Sequence, residues 1–261
     1  MTDIHGFTGV AASHPEVRRI HVADLLLALR QGRDDFLQKP SHYIFLCLIY
    51  PIVGIVLAMW TSGNNALPLL FPLMSGFALI GPFAAIGLYE ISRRREAGLD
   101  TSWVHAFEVL RSPAIPSILA IGVGLFALFY FWLGTAETLY QNLFGLAAPD
   151  SLWGFLGQVF GTSAGWMMII WGNLLGLLFA LVALCTTVVA FPLLLDRNVG
   201  ALTAVTTSIR AVLTNPGPML LWGLIIALGL VVGSIPLFIG LAVVVPIFGH
   251  ATWHLYRRLI V

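Results

Sequence analysis

Every lysine and arginine in this chain falls in alternate segments between six apolar stretches, and that arrangement restricts the fold more than any motif does. Arg18, Arg19, Arg30, Arg33 and Lys39 precede the first stretch, and Arg93, Arg94, Arg95 and Arg111 follow the second. Arg197 and Arg210 follow the fourth, and Arg257 and Arg258 follow the sixth. The intervening loops, near 61–66, 135–165 and 233–236, contain no cationic residue. Positive side chains are retained on the cytoplasmic side during insertion, so the pattern predicts a polytopic membrane protein with cytoplasmic N- and C-termini.

Composition agrees. The chain is 59% hydrophobic and only 10% charged, against about 25% charged in an ordinary soluble domain. Too little polar surface remains to coat a soluble fold, and no basic face is concentrated enough to suggest nucleic-acid binding. Cys47 and Cys185 both lie in apolar stretches and belong to no Cys-x-x-Cys, which argues against a disulfide framework or a thiolate metal site. Residues 1–21 include Asp3, Glu16, Arg18 and Arg19 and lack an apolar core, so the first span is expected to direct insertion itself.

A bilayer core of about 30 Å takes about 20 helical residues to cross. The expected fold class is therefore all-α: one transmembrane domain with spans at about 43–60, 67–91, 115–133, 165–195, 219–233 and 237–256, behind a flexible cytoplasmic segment 1–21. Gly233 and Pro236 divide the last two spans into a tight hairpin. Three further segments read as amphipathic helices along the cytoplasmic leaflet, each leading through Leu-x-x-Pro into a span and together forming a weak three-fold internal repeat. They are 22–39 (Val22, Leu25, Leu26, Leu29), 101–111 (Trp103, Ala106, Phe107, Leu110) and 200–214 (Leu202, Val205, Ile209, Val212). Asp150 and Ser151 mark a helix start for an outer segment carrying Leu152, Phe155, Leu156, Val159 and Phe160.

The candidate functional residues fall into three sets. Gly76, Gly81 and Gly87, with Pro82, make the second span a close-packing surface or a hinge, since proline removes a helical hydrogen bond. Gly172-Asn173-Leu174-Leu175-Gly176 and the Gly229–Gly233 pair repeat a spacing that lets helices approach, and Asn173 is expected to bond across such a crossing. Glu90, His105, His250 and His254 form the polar or ligand set. Glu90 reads as an ion pair with Arg93 or Arg94 one turn on, and His250 and His254 share a helix face. No metal or other cofactor is predicted; haem or a metal at His250 and His254 is the alternative, and such a site would need further ligands. Arg93, Arg94, Arg95, Arg257 and Arg258 set the topology and face anionic lipid.

Residues 71–98, Phe-Pro-Leu-x-x-Gly-Phe-Ala-Leu-Ile-Gly-Pro-x-Ala-Ala-x-Gly-Leu-Tyr-Glu-x-Ser-Arg-Arg-x-Glu-x-Gly, resemble the signature of a bacterial integral-membrane family, domain of unknown function 2189. The lead-in His14-Pro15 and Val17-Arg18-Arg19-Ile20, and the stretch Gly32-Arg33-Asp34-Asp35-Phe36 up to Pro40, are similar to it as well. The resemblance implies a multi-span protein of the bacterial inner membrane without an established activity.

Glycine-rich crossings, interfacial aromatics and the scarcity of ionisable groups inside the spans favour a non-catalytic role. The first expectation is an accessory subunit or assembly factor of a membrane complex, a respiratory one included, whose partners are the bilayer and the helices of other membrane proteins. A small channel or transporter for an uncharged or lipidic solute is the alternative. A haem-, metal- or lipid-handling enzyme is the third.

Overall fold

The computed structural model describes residues 15–38, 67–79, 81–147, 149, 151–236 and 238–261, with the isolated helical positions Ile52, Val56 and Met59. Helix α1 spans Val22–Gln38. The second apolar stretch carries α2 (Leu70–Leu79), α3 (Gly81–Ala84) and α4 (Ile86–Glu96). A 3₁₀ helix, Trp103–Arg111, leads into α5 (Ile115–Phe144), and α6 (Leu152–Gly161) leads into α7 (Ser163–Thr187). The short α8 (Ala190–Asp196) prolongs α7, followed by α9 (Ala201–Thr214), α10 (Pro216–Ser234) and α11 (Leu241–Leu259). Among the described residues the extended pairing is one antiparallel bridge, Val17 with Ile260.

Among the described residues, four helical segments are long and apolar enough to cross a membrane: Leu70–Glu96, Ile115–Phe144, Ser163–Asp196 and Pro216–Ser234. They correspond to the second to fifth expected spans. The expected first span, 43–60, lies outside the described residues apart from the three helical positions. The expected sixth is not among the four. The second half of α11 carries His250, His254, Arg257 and Arg258, and its side chains are buried in protein: His250 and Trp253 are fully buried and Tyr256 nearly so. The hairpin itself forms as expected. Gly229 lies under the Phe248 ring and Gly233 against Leu241, which brings α11 back antiparallel to α10.

The protein's own core lies at the arginine-bearing end. Its largest fully buried side chains include Leu25, Ile91, Phe191, Trp253, Leu255 and Tyr256, contributed by α1, α4, α8 and α11. The spans bury much less: 36% of Leu70–Glu96 and 17% of Pro216–Ser234 is covered within the chain, so most of their apolar surface must meet lipid or another protein. In the membrane layer Trp132 ties three helices together. Its indole N–H donates to the Pro72 carbonyl at 2.8 Å, its ring lies beside Gly76 and Gly176, and the Phe179 ring packs against it at a tilt, centroids 5.6 Å apart.

The three expected surface helices differ from the reading of their apolar stripes. In α1 the buried stripe is Leu25, Ala28, Gly32, Asp35 and Phe36, while Val22 and Leu26 point outward. In α9 the buried residues are Ala204, Thr207, Ser208, Ala211 and Val212, and Leu202 is exposed. Small residues turn inward because they let helices approach, whereas bulky aliphatics are tolerated outside when the surroundings are lipid. The segment 101–111 is a 3₁₀ helix rather than an α-helix, so its faces repeat every three residues. Val104, Phe107 and Leu110 form the exposed apolar ridge, and Ala106 turns inward onto Gly87. The outer helix begins as expected, with Ser151 Oγ capping Gly154 N–H at 3.1 Å.

Helix α1 lies along α11 at very short range. A Cβ built on Gly32 would come within 2.6 Å of the Ile247 carbonyl oxygen and of Ala251 Cβ. Gly32→Ala is therefore expected to push α1 away and cost about 1–3 kcal/mol, read as a lower melting temperature in detergent. Gly81→Ala, at a position with no atom of the described residues within 4 Å, should leave the melt unchanged. The reverse order would show that the α1–α11 contact is not close-packed.

Candidate functional site

Three helices meet around one buried carboxylate. Asp35 stands in the inward stripe of α1, Ser92 and Arg95 lie one turn apart on α4, and His250 and His254 lie one turn apart on α11. Arg95 pairs with Asp35 at 2.9 Å. Ser92 Oγ donates to Asp35 Oδ2 at 2.8 Å and lies 2.7 Å from His250 Nδ1. The ionised carboxylate only accepts, so His254 donates to it from Nε2 at 2.9 Å. Asp35 is 6% exposed, and burial alone would raise its pKa; the hydrogen bonds from His254, Arg95 and Ser92 outweigh that and hold it at about 2.

The polar set expected from the sequence is thus only partly assembled. His250 and His254 come together, joined by Asp35 and Ser92, which sequence reasoning missed. Glu90 turns to a different cleft and grips Arg93 through two bonds of 2.7 and 2.8 Å, the ion pair that its spacing suggested. His105 sits on the 3₁₀ helix between Glu108 at 2.6 Å and Asp100 at 2.8 Å. Those bonds, Glu108's first, raise the His105 pKa, and His105 lowers that of Glu108 in return. Among the described residues, no three of the His, Cys, Asp and Glu side chains are arranged to hold a metal ion.

The arginines are distributed over this end. Arg94 bonds Glu108 at 2.8 Å, Arg257 reaches Glu96 at 3.0 Å and Asp196 at 3.3 Å, and Arg258 meets Gln31 at 3.1 Å and Asp24 at 3.4 Å. Segment 16–20 is strapped across α9 and α11. Asn215 Oδ1 accepts from Ile20 N–H at 2.8 Å, Asn215 Nδ2 donates to the Arg18 carbonyl at 2.9 Å, and Arg18 N–H donates to the Leu259 carbonyl at 2.8 Å.

The expected packing residues divide. Gly76, Gly87, Gly176, Gly229 and Gly233 each lie within 3.2 Å of a side chain on a neighbouring element when a Cβ is built on them, while Gly81 has open space and Gly172 only a contact of 3.8 Å with Leu139. Pro82 lies in the short α3, within the helical segment Leu70–Glu96. Asn173 departs from its expected role. Its Nδ2 donates to the Ile169 carbonyl of its own helix at 2.7 Å, and the side chain is exposed on the lateral face. Among the described residues the Asn173 side chain bonds only within α7, while Gly172 beside it meets Leu139 and Gly176 meets Trp132 of α5.

A signal for Asp35 was present in the sequence: an acid in register with Leu25, Ala28 and Gly32 on a face of small residues. Replacing it removes the counter-charge of a buried guanidinium, so Asp35→Asn is expected to cost about 3–5 kcal/mol. Its pKa is depressed, so the stability that it contributes is present above the unfolded value near 3.8 and is lost as pH falls towards about 2. That contribution is on the order of 2 kcal/mol. The melting temperature of the native chain should fall more steeply between pH 4 and pH 2 than that of Asp35→Asn; parallel curves would remove Asp35 from the network.

No curated protein and no solved structure matches the chain. Residues 70–196 match the family model described as "Predicted integral membrane protein (DUF2189)", and the match contains the second span, the Glu90–Arg93 pair and Ser92 and Arg95 of the carboxylate cluster. The resemblance carried by residues 71–98 is thereby borne out, and the chain is an integral membrane protein similar over that region to the DUF2189 family.

Proposed function

We propose that this is a non-catalytic protein of the bacterial inner membrane that packs laterally against helices of a partner, as an accessory subunit or assembly factor of a membrane complex. The observation that carries the reading is Asn173. It lies ten residues into α7, about 15 Å from the helix start, in a row with the exposed Trp166, Ile170, Leu174 and Leu177. One amide N–H is used within the helix, which leaves the other N–H and Oδ1 directed at the lateral face. A lone amide facing hydrocarbon is costly, and a hydrogen-bonding partner helix relieves that cost.

The remaining geometry favours the same role over transport or catalysis. Trp132 and Phe179 lie in the interior beside α2, and Asp35, Arg95, Ser92 and His254 are engaged with one another at the arginine-bearing end. Both terminal segments meet at that end through the Val17–Ile260 bridge, which supports a topology with both termini cytoplasmic.

A photoreactive residue at Ile170 is expected to cross-link the native chain in membranes to one protein species. Asn173→Leu should reduce that product severalfold without changing the amount of protein in the membrane, since an interhelical hydrogen bond is worth about 0.6–2 kcal/mol. Lipid adducts alone, or an undiminished product in Asn173→Leu, would overturn the proposal.

A further inference from the structure

The arginine-bearing end holds two clefts that differ in charge. The one beside Glu90 and Arg93, about 490 Å³, is also lined by Glu108, Arg111 and Asp196, so acids and bases are closely matched there. The other, about 540 Å³, lies between segment 18–20, α1, α4 and α11, and is lined by five arginines, Arg18, Arg19, Arg95, Arg257 and Arg258, and His254, against two acids, Asp24 and Glu96. Its volume falls in the range of small-ligand sites, roughly 300–1,000 Å³.

Acid partners account for three of the five. Arg95 is held by Asp35 at 2.9 Å, Arg257 by Glu96 at 3.0 Å, and Arg258 more loosely by Asp24 at 3.4 Å. Among the described residues, neither Arg18 nor Arg19 has an acidic side chain within ion-pair distance. Their backbone is nonetheless fixed: Asn215 holds Ile20 N–H and the Arg18 carbonyl, and the Leu259 carbonyl holds Arg18 N–H. Two guanidiniums without an acidic partner among the described residues are therefore held on a fixed segment beside a concave site whose other arginines, with Asp24 and Glu96, leave it a net excess of positive charge. Like charges are not gathered on a strapped segment without cost, and the cost is recovered when an anion binds.

We propose that this cleft is a binding site for a phosphate-bearing anion, with Arg18 and Arg19 as its principal ligands and Arg258 as the third. Guanidinium matches phosphate oxygens in paired, planar geometry, and it keeps its charge at every physiological pH. A phospholipid headgroup and a soluble phosphate compound present the same chemistry to these side chains. The site goes beyond lateral packing at α7 and does not depend on it, since the two lie on different elements.

The test uses the full chain in a non-ionic detergent at low salt, with binding read by native mass spectrometry and thermal shift. The probes are inorganic pyrophosphate, micelles doped with dioleoylphosphatidylglycerol, and micelles doped with dioleoylphosphatidylcholine. Binding of pyrophosphate assigns a soluble phosphate ligand. Selective binding of phosphatidylglycerol over phosphatidylcholine without pyrophosphate assigns the headgroup. In either case the double variant Arg18→Gln/Arg19→Gln should weaken binding by about tenfold or more, because two charge-assisted contacts are lost. Arg33→Gln, whose side chain pairs with Asp34 outside the cleft, should bind as the native chain does. Arg18 and Arg19 are exposed, so the unliganded melt should be unchanged; if it falls, Arg258→Gln is measured in the same way, and it too should weaken binding. No binding of pyrophosphate or phosphatidylglycerol, or equal affinity in the native chain and the folded arginine variants, would overturn the proposal.

Discussion

The arginine-bearing end of this protein is organised by one buried carboxylate. Asp35 is acceptable inside protein only because Arg95 answers its charge while Ser92 and His254 occupy its remaining lone pairs. Satisfying that set requires α1, α4 and α11 to sit at fixed distances and rotations. Gly32 provides the close approach that makes those distances possible, because any larger residue would meet the α11 backbone. The carboxylate and the glycine are therefore two halves of one constraint: the glycine brings the helices together, and the polar cluster specifies their register.

Much of the membrane architecture was legible in the sequence because hydropathy and charge asymmetry act over whole segments and tolerate local error. Four of the expected spans appear, together with the α10–α11 hairpin, the Ser151 helix start and the Glu90–Arg93 pair. The faces of α1 and α9 were not legible, and the reason is physical. An apolar stripe indicates burial when water is the alternative, but beside a bilayer the bulky residues Val22, Leu26 and Leu202 can remain outside while alanine, glycine and serine make the contact. The C-terminal half of α11 shows the same limit. Its apolar residues suggested lipid, whereas His250 and Trp253 are buried by protein. The 3₁₀ winding of Trp103–Arg111 carried no sequence signal distinct from an amphipathic α-helix; only its period of three separates the ridge of Val104, Phe107 and Leu110 from its neighbours.

The chain thus has two unlike regions. The membrane layer has little interior of its own beyond the contacts around Trp132, and it leaves most of its apolar area uncovered. The opposite holds at the charged end, where the largest side chains are buried and acids and bases interlock. A rigid end with loosely enclosed spans suits a protein that is completed laterally by other molecules. Asn173 marks one place on α7 where hydrocarbon alone is a poor neighbour.

The seam between α1 and α11 also dictates an order of assembly. The residues that it joins, Asp35 and His254, are 219 positions apart, so α1 leaves the ribosome long before the surface that receives it has been made. Until then Asp35 stays hydrated and the face of Gly32 stays open, and the intervening spans enter the bilayer without that brace. Docking of α1 consequently waits until α11 has been made. A chain with one span reversed would carry α11 to the wrong side and leave its first helix undocked, a recognisable mark for quality-control proteases.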